Sequence, residues 1–191
     1  MLLRMSVGLV LLLCAFPPIM NAQNQTPVSK DKLDRLIVYG DGFAFGVKEP
    51  DSWRADTEDL ARKYHVNVLF APAKQRGTSD VTIRVRLNKK VDENTIEDLN
   101  YDMEQYKKDY PEAKFNDLSI EHPEYKTFVK LVYMPDQFYE YVAYVNPGPI
   151  SKFTFSAAMS KRLKPATPEE LMAFESVLKS LLWLSDFTHQ K

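Results

Sequence analysis

"YKTFVKLVYMPDQFYEYVAYVNPGPISKFTFSA", residues 125–157, is the most informative stretch of the sequence for the fold. It contains three apolar, aromatic-rich segments separated only by short links. Pro135 and Asp136 separate the first two segments, and residues 146–149, Asn-Pro-Gly-Pro, separate the second and third. These residue types are typical of turns. Because a parallel return needs a crossover of about a dozen residues or more, the short links predict three consecutive antiparallel strands.

Period-two alternation predicts further strands earlier in the chain. In "DVTIRVRLN", residues 80–88, valine, isoleucine and leucine point to one face, while threonine and two arginines point to the other. "HVNVLFAP", residues 65–72, and "DLSIEH", residues 117–122, show shorter versions of the pattern. A glycine-containing turn at residues 40–42 leads into an apolar strand at residues 43–47. The sequence therefore predicts a mainly antiparallel sheet.

Two helices are predicted because start signals and apolar spacing agree. The first covers about residues 95–109 and ends before Pro111. In the second, Thr167 is the N-cap, Pro168 takes the first helical position and Glu170 completes a capping box. The buried face of the second helix is predicted to contain Leu171, Phe174, Val177, Leu178, Leu181 and Leu182.

Residues 1–22, "MLLRMSVGLVLLLCAFPPIMNA", have the positive charge, the apolar run and the small residue before a cleavage point that are typical of a secretory signal peptide. The apolar run is much shorter than the roughly 20 residues that a membrane-spanning helix needs, so an uncleaved anchor is the weaker interpretation. Residues 23–36 predict a flexible linker, residues 37–185 a single domain, and residues 186–191 a tail. We therefore expect a secreted or periplasmic protein with no stable membrane span after signal cleavage.

The composition argues against several kinds of partner and chemistry. A net charge of −1 in a chain of 191 residues gives no sign of a nucleic-acid surface. The only cysteine, Cys14, lies in the predicted signal peptide. Cleavage of the signal peptide would leave no thiol for a disulfide, a metal site or a nucleophile. We therefore expect the hydrophobic core to provide the stability of the exported domain.

No motif in the sequence predicts catalysis, a cofactor or a metal. Gly40, Gly42 and Gly46 lack the spacing of a dinucleotide-binding loop, so we interpret Gly40, Asp41 and Gly42 as a turn that leads into a strand. The three histidines occur singly and form no pair of metal ligands. No serine lies in a nucleophile elbow. We therefore predict a protein that is not an enzyme and that binds no cofactor.

Aromatic residues are concentrated in the three strands predicted near the C-terminus, and they offer a candidate surface for a partner. Both alternating faces of "FYEYVAYV", residues 138–145, carry aromatic side chains. One set is expected to face a helix, and the other the surface or a shallow groove. We predict Tyr139, Tyr141, Arg84 and Arg86 as residues of a partner surface. The alternative interpretations are aromatic packing across strands in the core and a solvated strand face.

The order of elements around one short motif resembles the PsbP-like proteins, which include an extrinsic lumenal subunit of photosystem II. The motif F-x-x-x-x-P-x-x-W is formed by Phe45, Pro50 and Trp53, and the resemblance covers about residues 39–184. Ran-binding nuclear import factors and bacterial envelope proteins share the fold of this family. The resemblance implies an α+β fold, an α/β/α sandwich with a central, mostly antiparallel sheet and helices on both faces. It implies no catalytic residues.

We therefore expect a secreted or periplasmic, non-catalytic PsbP-like domain that binds or assists another envelope or secreted protein. The alternative is a carrier of a small apolar ligand held between the aromatic face of the sheet and a helix, which would need a pocket of at least about 300 Å³. An enzyme is the third hypothesis and has the least support from the sequence. A cleft with convergent ionisable groups would be the first sign of one.

Overall fold

The computed structural model describes residues 34–75, 79–90 and 95–186, which form ten strands and three α-helices. The strands are β1 Leu36–Gly40, β2 Phe43–Val47, β3 Trp53–Asp56, β4 Val68–Pro72, β5 Val81–Lys89, β6 Lys114–Leu118, β7 Lys126–Met134, β8 Phe138–Asn146, β9 Phe153–Arg162 and β10 Leu182–Asp186. The helices are α1 Asp59–Lys63, α2 Thr95–Asp109 and α3 Pro168–Ser180, and Ala73–Gln75 and Gly148–Ile150 are short 3-10 turns. The predicted signal peptide and most of the predicted linker and tail lie outside the described residues.

Seven strands form the larger sheet in the order β3-β4-β5-β9-β8-β7-β6, and every neighbouring pair is antiparallel. The three consecutive antiparallel strands predicted near the C-terminus are confirmed, with Leu131 opposite Tyr141 and Ala143 opposite Ala157. Asp136 has a φ of 62° in the β7–β8 turn, a left-handed conformation that aspartate tolerates better than most residues. Short links and turn chemistry therefore determine this part of the fold.

Three strands form a second antiparallel sheet in the order β1-β2-β10. β1 and β2 form a hairpin whose turn contains Gly42 with a φ of 79°, a conformation that favours glycine. A Cβ atom at Gly40 would lie 2.0 Å from the Phe43 ring, so a larger residue there would have to displace that ring. The interpretation of these glycines as a turn before a strand is confirmed.

The two sheets share one hydrophobic core with α3. Phe45 of β2 and Phe155 of β9 are fully buried and pack edge to face, with their ring centroids 5.3 Å apart. Phe174 of α3 belongs to the same core. The predicted capping box is confirmed, because the Thr167 hydroxyl accepts from Glu170 N while the Glu170 carboxylate accepts from Thr167 N. The cap sets where α3 begins and therefore which of its side chains enter the core.

The opposite face of the larger sheet carries α2, and we call it the α2 face. α2 has the bounds that the sequence predicted. Its residues Leu99 and Met103 pack against Val132, Val142 and Tyr144 in a second, smaller core. α2 contacts β7 and β8. On this face α2 therefore lies over strands β7 and β8.

The predicted α/β/α sandwich with helices on both faces is wrong. The protein is mostly β, with two antiparallel sheets of three and seven strands and only three α-helices among the described residues. Only helices were expected to pack on the larger sheet. In the structure β1, β2 and β10 form a second sheet that shares the main core with α3.

This error arises at the two ends of the predicted domain. Residues 36–40 form β1, although the linker was predicted to extend to residue 36. Residues 182–186 form β10, although the buried helical face was predicted to continue through Leu182. α3 ends at Ser180 without a glycine or a proline behind it. The following leucines fit helical spacing as well as a strand, so periodicity alone does not reveal the boundary.

Candidate functional site

A cleft of about 990 Å³ lies between α2 and strands β5, β8 and β9 of the larger sheet. Arg84 of β5, Glu140 of β8 and Ser160 of β9 line its floor. They share the α2 face because Ser160 lies directly opposite both Glu140 and Thr82, and Arg84 is two residues from Thr82 along β5. Tyr106 lines the wall formed by α2. The volume falls within the usual range for ligand sites, about 300–1,000 Å³.

Glu140 is the centre of a hydrogen-bond network on the cleft floor. Its Oε1 atom accepts from Arg84 Nη2 at 2.5 Å and from Ser160 Oγ at 2.9 Å, and Arg84 also donates to Ser160. The hydroxyl of Tyr106 donates to the same carboxylate. The side chains of Arg84 and Glu140 are only 28% and 18% exposed. The network therefore holds the carboxylate in one orientation and shields it from much of the solvent.

A second tyrosine makes the reciprocal connection between the sheet and α2. The Tyr144 hydroxyl of β8 donates to Asp102 Oδ2 of α2 at 2.5 Å. Asp102 and Tyr106 are at positions i and i+4 on the helix, so they point to the same side of it. We call the Tyr144–Asp102 and Tyr106–Glu140 hydrogen bonds the cross-brace. The cross-brace fixes α2 against β8 and thereby sets the width of the cleft.

Both tyrosines of the cross-brace have a raised pKa. Burial is the main cause for each. The negative charge of Glu140 raises the pKa of Tyr106 further, and the hydrogen bond to Asp102 raises the pKa of Tyr144 further. Both hydroxyls are therefore neutral hydrogen-bond donors near neutral pH. The two tyrosines therefore supply fixed hydrogen bonds and do not act as bases.

The rim of the cleft presents exposed side chains of varied chemistry. Tyr64 and Tyr110 line the cleft and are 49% and 42% exposed. Asp109 and Arg162 are also exposed lining residues and contribute one charge of each sign. Tyrosine and arginine are enriched among the anchor residues of binding surfaces. The rim can therefore contact a partner while the network below it stays intact.

The four residues predicted as a partner surface do not lie on one surface. Arg84 and Arg86 are on the α2 face, whereas Tyr139 and Tyr141 alternate onto the opposite face. Arg84 belongs to the cleft network and Arg86 is exposed. Tyr141 is buried in the main core, and its hydroxyl accepts from Ala166 N at 3.1 Å. Tyr139 stacks on a neighbouring tyrosine and borders the cleft.

Sequence patterns did not identify Asp102, Tyr106, Glu140 or Ser160 as site residues. Their partners are distant along the chain, since Arg84 lies 56 residues from Glu140 and 76 from Ser160. One feature of the sequence did point to Glu140. Glu140 is the only acidic residue in a strand of aromatic and aliphatic side chains, and a carboxylate in such a strand needs a partner. An arginine on the polar face of another strand was the natural candidate.

Removal of either hydroxyl of the cross-brace is expected to destabilise the protein. Tyr106→Phe or Tyr144→Phe leaves a carboxylate without one of its donors, and hydrogen bonds to charged groups contribute about 1.5–3 kcal/mol. Urea titrations should show a loss of about that size in the free energy of unfolding for each variant. Tyr101→Phe is the control, because Tyr101 lies on α2 and is 66% exposed, and its loss should stay within about 0.5 kcal/mol. Equal losses in all three variants would show that the cross-brace does not hold α2.

The same hydrogen bonds predict an alkaline limit to stability. The folded protein raises the pKa of Tyr106 and Tyr144 above the value of a free tyrosine, about 10. Their stabilising contribution is therefore complete below about pH 10 and is lost as the pH rises through the folded pKa. In an absorbance titration, we expect both residues to form phenolate only as the protein unfolds. Early ionisation of Tyr106 and Tyr144 in the folded protein would contradict their burial.

Within the described residues, no group of three or more histidine, cysteine, aspartate or glutamate side chains is arranged to hold a metal ion. No helix in the described part of the chain is long and apolar enough to cross a membrane. Comparison with protein-family models gave no match, and a search of curated proteins gave none either. The resemblance to the PsbP-like proteins stays a prediction.

Proposed function

We propose that this protein is a non-catalytic binding or accessory factor that acts in the cell envelope or after secretion, and that it binds another envelope or secreted component through the cleft. The observation that carries the proposal is a fixed hydrogen-bond network beneath a rim of exposed tyrosine and charged side chains. A site that is ordered before binding loses less conformational entropy when a partner arrives. The signal-peptide features of residues 1–22 support the proposed location.

The ionisable groups of the cleft support binding better than catalysis. Glu140 Oε1 is occupied by an ion pair with Arg84 and by a hydrogen bond from Ser160. Ser160 is hydrogen-bonded to Glu140 and to Arg84, and an arginine cannot take up a proton from it. The raised pKa of Tyr106 keeps that residue protonated. The carboxylate that faces the Ser160 hydroxyl is therefore already paired with an arginine, whereas nucleophilic catalysis requires a base that is free to take up the proton.

The PsbP-like resemblance agrees with this proposal, since members of that family act mainly as binding or assembly factors. It depends on Phe45, Pro50, Trp53 and the order of the elements. Analogy of this kind does not specify a function by itself, so the proposal depends on the cleft.

Capture of components from an envelope or secreted fraction tests the proposal. The full chain is expressed with its N-terminal segment, so that any processing takes place, and is then immobilised. It is compared with a variant that carries Tyr64→Ala and Arg162→Glu, two exposed substitutions at the rim that leave the network intact. We expect at least one component to be retained about tenfold less by this variant, which corresponds to about 1.4 kcal/mol of binding free energy.

A variant with Tyr39→Ala and Lys74→Glu is the matched control, because both side chains are exposed and neither lines the cleft. It should retain the same component as well as the unmodified protein does. Equal retention by the rim variant and the control would place the binding surface outside the cleft. Turnover of an ester, phosphate or peptide substrate that is abolished in the rim variant would replace the proposal by an enzyme.

The alternative function, a carrier of a small apolar ligand, has weaker support from the cleft. The volume is sufficient for such a ligand. However, Arg84, Asp102 and Glu140 line the cleft, and covering charged groups with an apolar ligand removes their contact with water at a cost in free energy. Saturable binding of an apolar fluorescent dye that is lost in the Tyr64 and Arg162 variant would favour the carrier, whereas no binding would agree with the present proposal.

A further inference from the structure

β10 forms one edge of the smaller sheet, and two side chains from the β6–β7 connection cover that edge. Within residues 34–75, 79–90 and 95–186, β10 pairs with β2 alone. On its other side, Trp183 N donates to the Tyr125 hydroxyl at 3.1 Å. The Leu181 carbonyl, just before β10, accepts from His122 Nε2 at 2.9 Å. One acceptor and one donor thus engage two backbone groups at the start of this edge, and we call this pair of side chains the His122–Tyr125 cap.

The contacts of His122 require one protonation state. Nε2 lies beside a carbonyl oxygen, which can only accept, so Nε2 carries the hydrogen. Nδ1 accepts from the backbone N–H groups of Glu124 and Tyr125, each at 3.0 Å, so it must have a free lone pair. The neutral ring with its hydrogen on Nε2 satisfies all three contacts. A protonated ring would direct a second N–H at two backbone donors and lose both bonds.

The cap is also connected to the main core. The His122 ring stacks on Tyr125, with ring centroids 4.5 Å apart and planes inclined by 10°. Displacement of His122 therefore removes support from the tyrosine that accepts from Trp183 N. The buried Trp183 ring packs against Phe153 and Phe155 at centroid distances of 5.7 and 6.2 Å. A change at His122 can thus reach a large side chain between the two sheets.

We propose that the His122–Tyr125 cap is a proton-sensitive cover for the free edge of β10, closed while His122 is neutral and released when the ring takes up a proton. Histidine is the side chain whose charge changes most readily between about pH 5 and pH 8. An open strand edge presents unpaired backbone groups to which another strand can add. The cap therefore makes access to this edge depend on pH, independently of the cleft.

The charged groups around His122 determine the direction of this dependence. Burial is the main influence and lowers the pKa, the Leu181 carbonyl and Glu124 raise it, and Arg35 lowers it, with a lowered pKa as the result. A histidine released from the cap titrates near its ordinary value of about 6.5. The stabilisation from the closed cap is therefore complete above about pH 6.5 and is lost as the pH falls through the lower pKa of the closed form.

Amide hydrogen exchange at Trp183 in the full chain tests this proposal. The protection factor, corrected for the intrinsic pH dependence of exchange, should fall between about pH 7.5 and about pH 5. If the closed cap lowers the pKa of His122 by one, the protection factor should fall by up to about tenfold. An NMR titration of the His122 ring should have its midpoint below about 6.5. A protection factor that does not change with pH, or a midpoint at or above that value, would overturn the proposal.

Three variants separate the cap from general effects of acid. His122→Asn keeps a side-chain acceptor for the nearby N–H groups and does not titrate, so protection of Trp183 should become independent of pH. Tyr125→Phe removes only the hydroxyl that accepts from Trp183 N, so it should lower the protection of Trp183 at both about pH 7.5 and about pH 5. His65→Asn is the matched control, because His65 is exposed, and it should keep the wild-type dependence. Retained dependence in His122→Asn, or lost dependence in His65→Asn, would show that the cap is not the sensor.

Discussion

Replacement of Phe45 by alanine is expected to lower the free energy of unfolding by about 3–5 kcal/mol, the usual loss for a fully buried phenylalanine. Phe45 is completely buried in β2 and packs edge to face on Phe155 of β9. The contact joins the smaller sheet to the larger one, so the cavity would form where the two sheets meet. Urea titration followed by circular dichroism measures the loss.

Two further substitutions control for this result. Tyr39→Ala removes an aromatic ring from β1 of the same sheet, but the ring is 71% exposed, so the change should stay within about 0.5 kcal/mol. Phe45→Leu keeps most of the apolar volume and should cost less than about 1.5 kcal/mol. A loss for Phe45→Ala as small as that for Tyr39→Ala would mean that the two sheets do not share a packed core.

Replacement of Trp53 by alanine is expected to cost about 3–5 kcal/mol as well. Trp53 begins β3 directly after a turn in which its N–H donates to the Pro50 carbonyl at 3.0 Å. Its side chain is only 6% exposed and belongs to the main core. The loss should appear as a lower melting temperature and a lower urea midpoint.

Trp53→Phe distinguishes lost packing from a specific role of the indole. It keeps an aromatic ring in the core, so its loss should be clearly smaller than that of Trp53→Ala. An unchanged melting temperature in Trp53→Ala would show that the side chain is exposed. That outcome would make Trp53 a candidate contact for a partner.

The parts of the fold that depend on local signals could be predicted from the sequence. The β7–β8–β9 order follows from short links, and the start of α3 follows from the capping box at Thr167. β1 and β10 could not be predicted, because they become strands only by pairing with β2. β6 lies at Lys114–Leu118, earlier than the predicted strand at 117–122, since this mostly polar edge strand has no alternation of apolar residues.

The cleft was harder to predict than the fold. Alternation placed Arg84 and Arg86 on the polar face of β5, and this is confirmed. Alternation did not reveal that Tyr141 would be buried, because both faces of β8 carry aromatic side chains. The contact between Arg84 and Glu140 depends on the position of β9 between β5 and β8, which no local signal determines.

Hydrogen-exchange footprinting of the protein with its captured component shows directly whether binding takes place through the cleft. We expect slower exchange on binding in α2 and in residues 79–84 and 160–162, where the cleft wall and floor lie. Exchange in β1 and α3 should not change. Slower exchange confined to β1 or α3, with α2 unaffected, would contradict the claim.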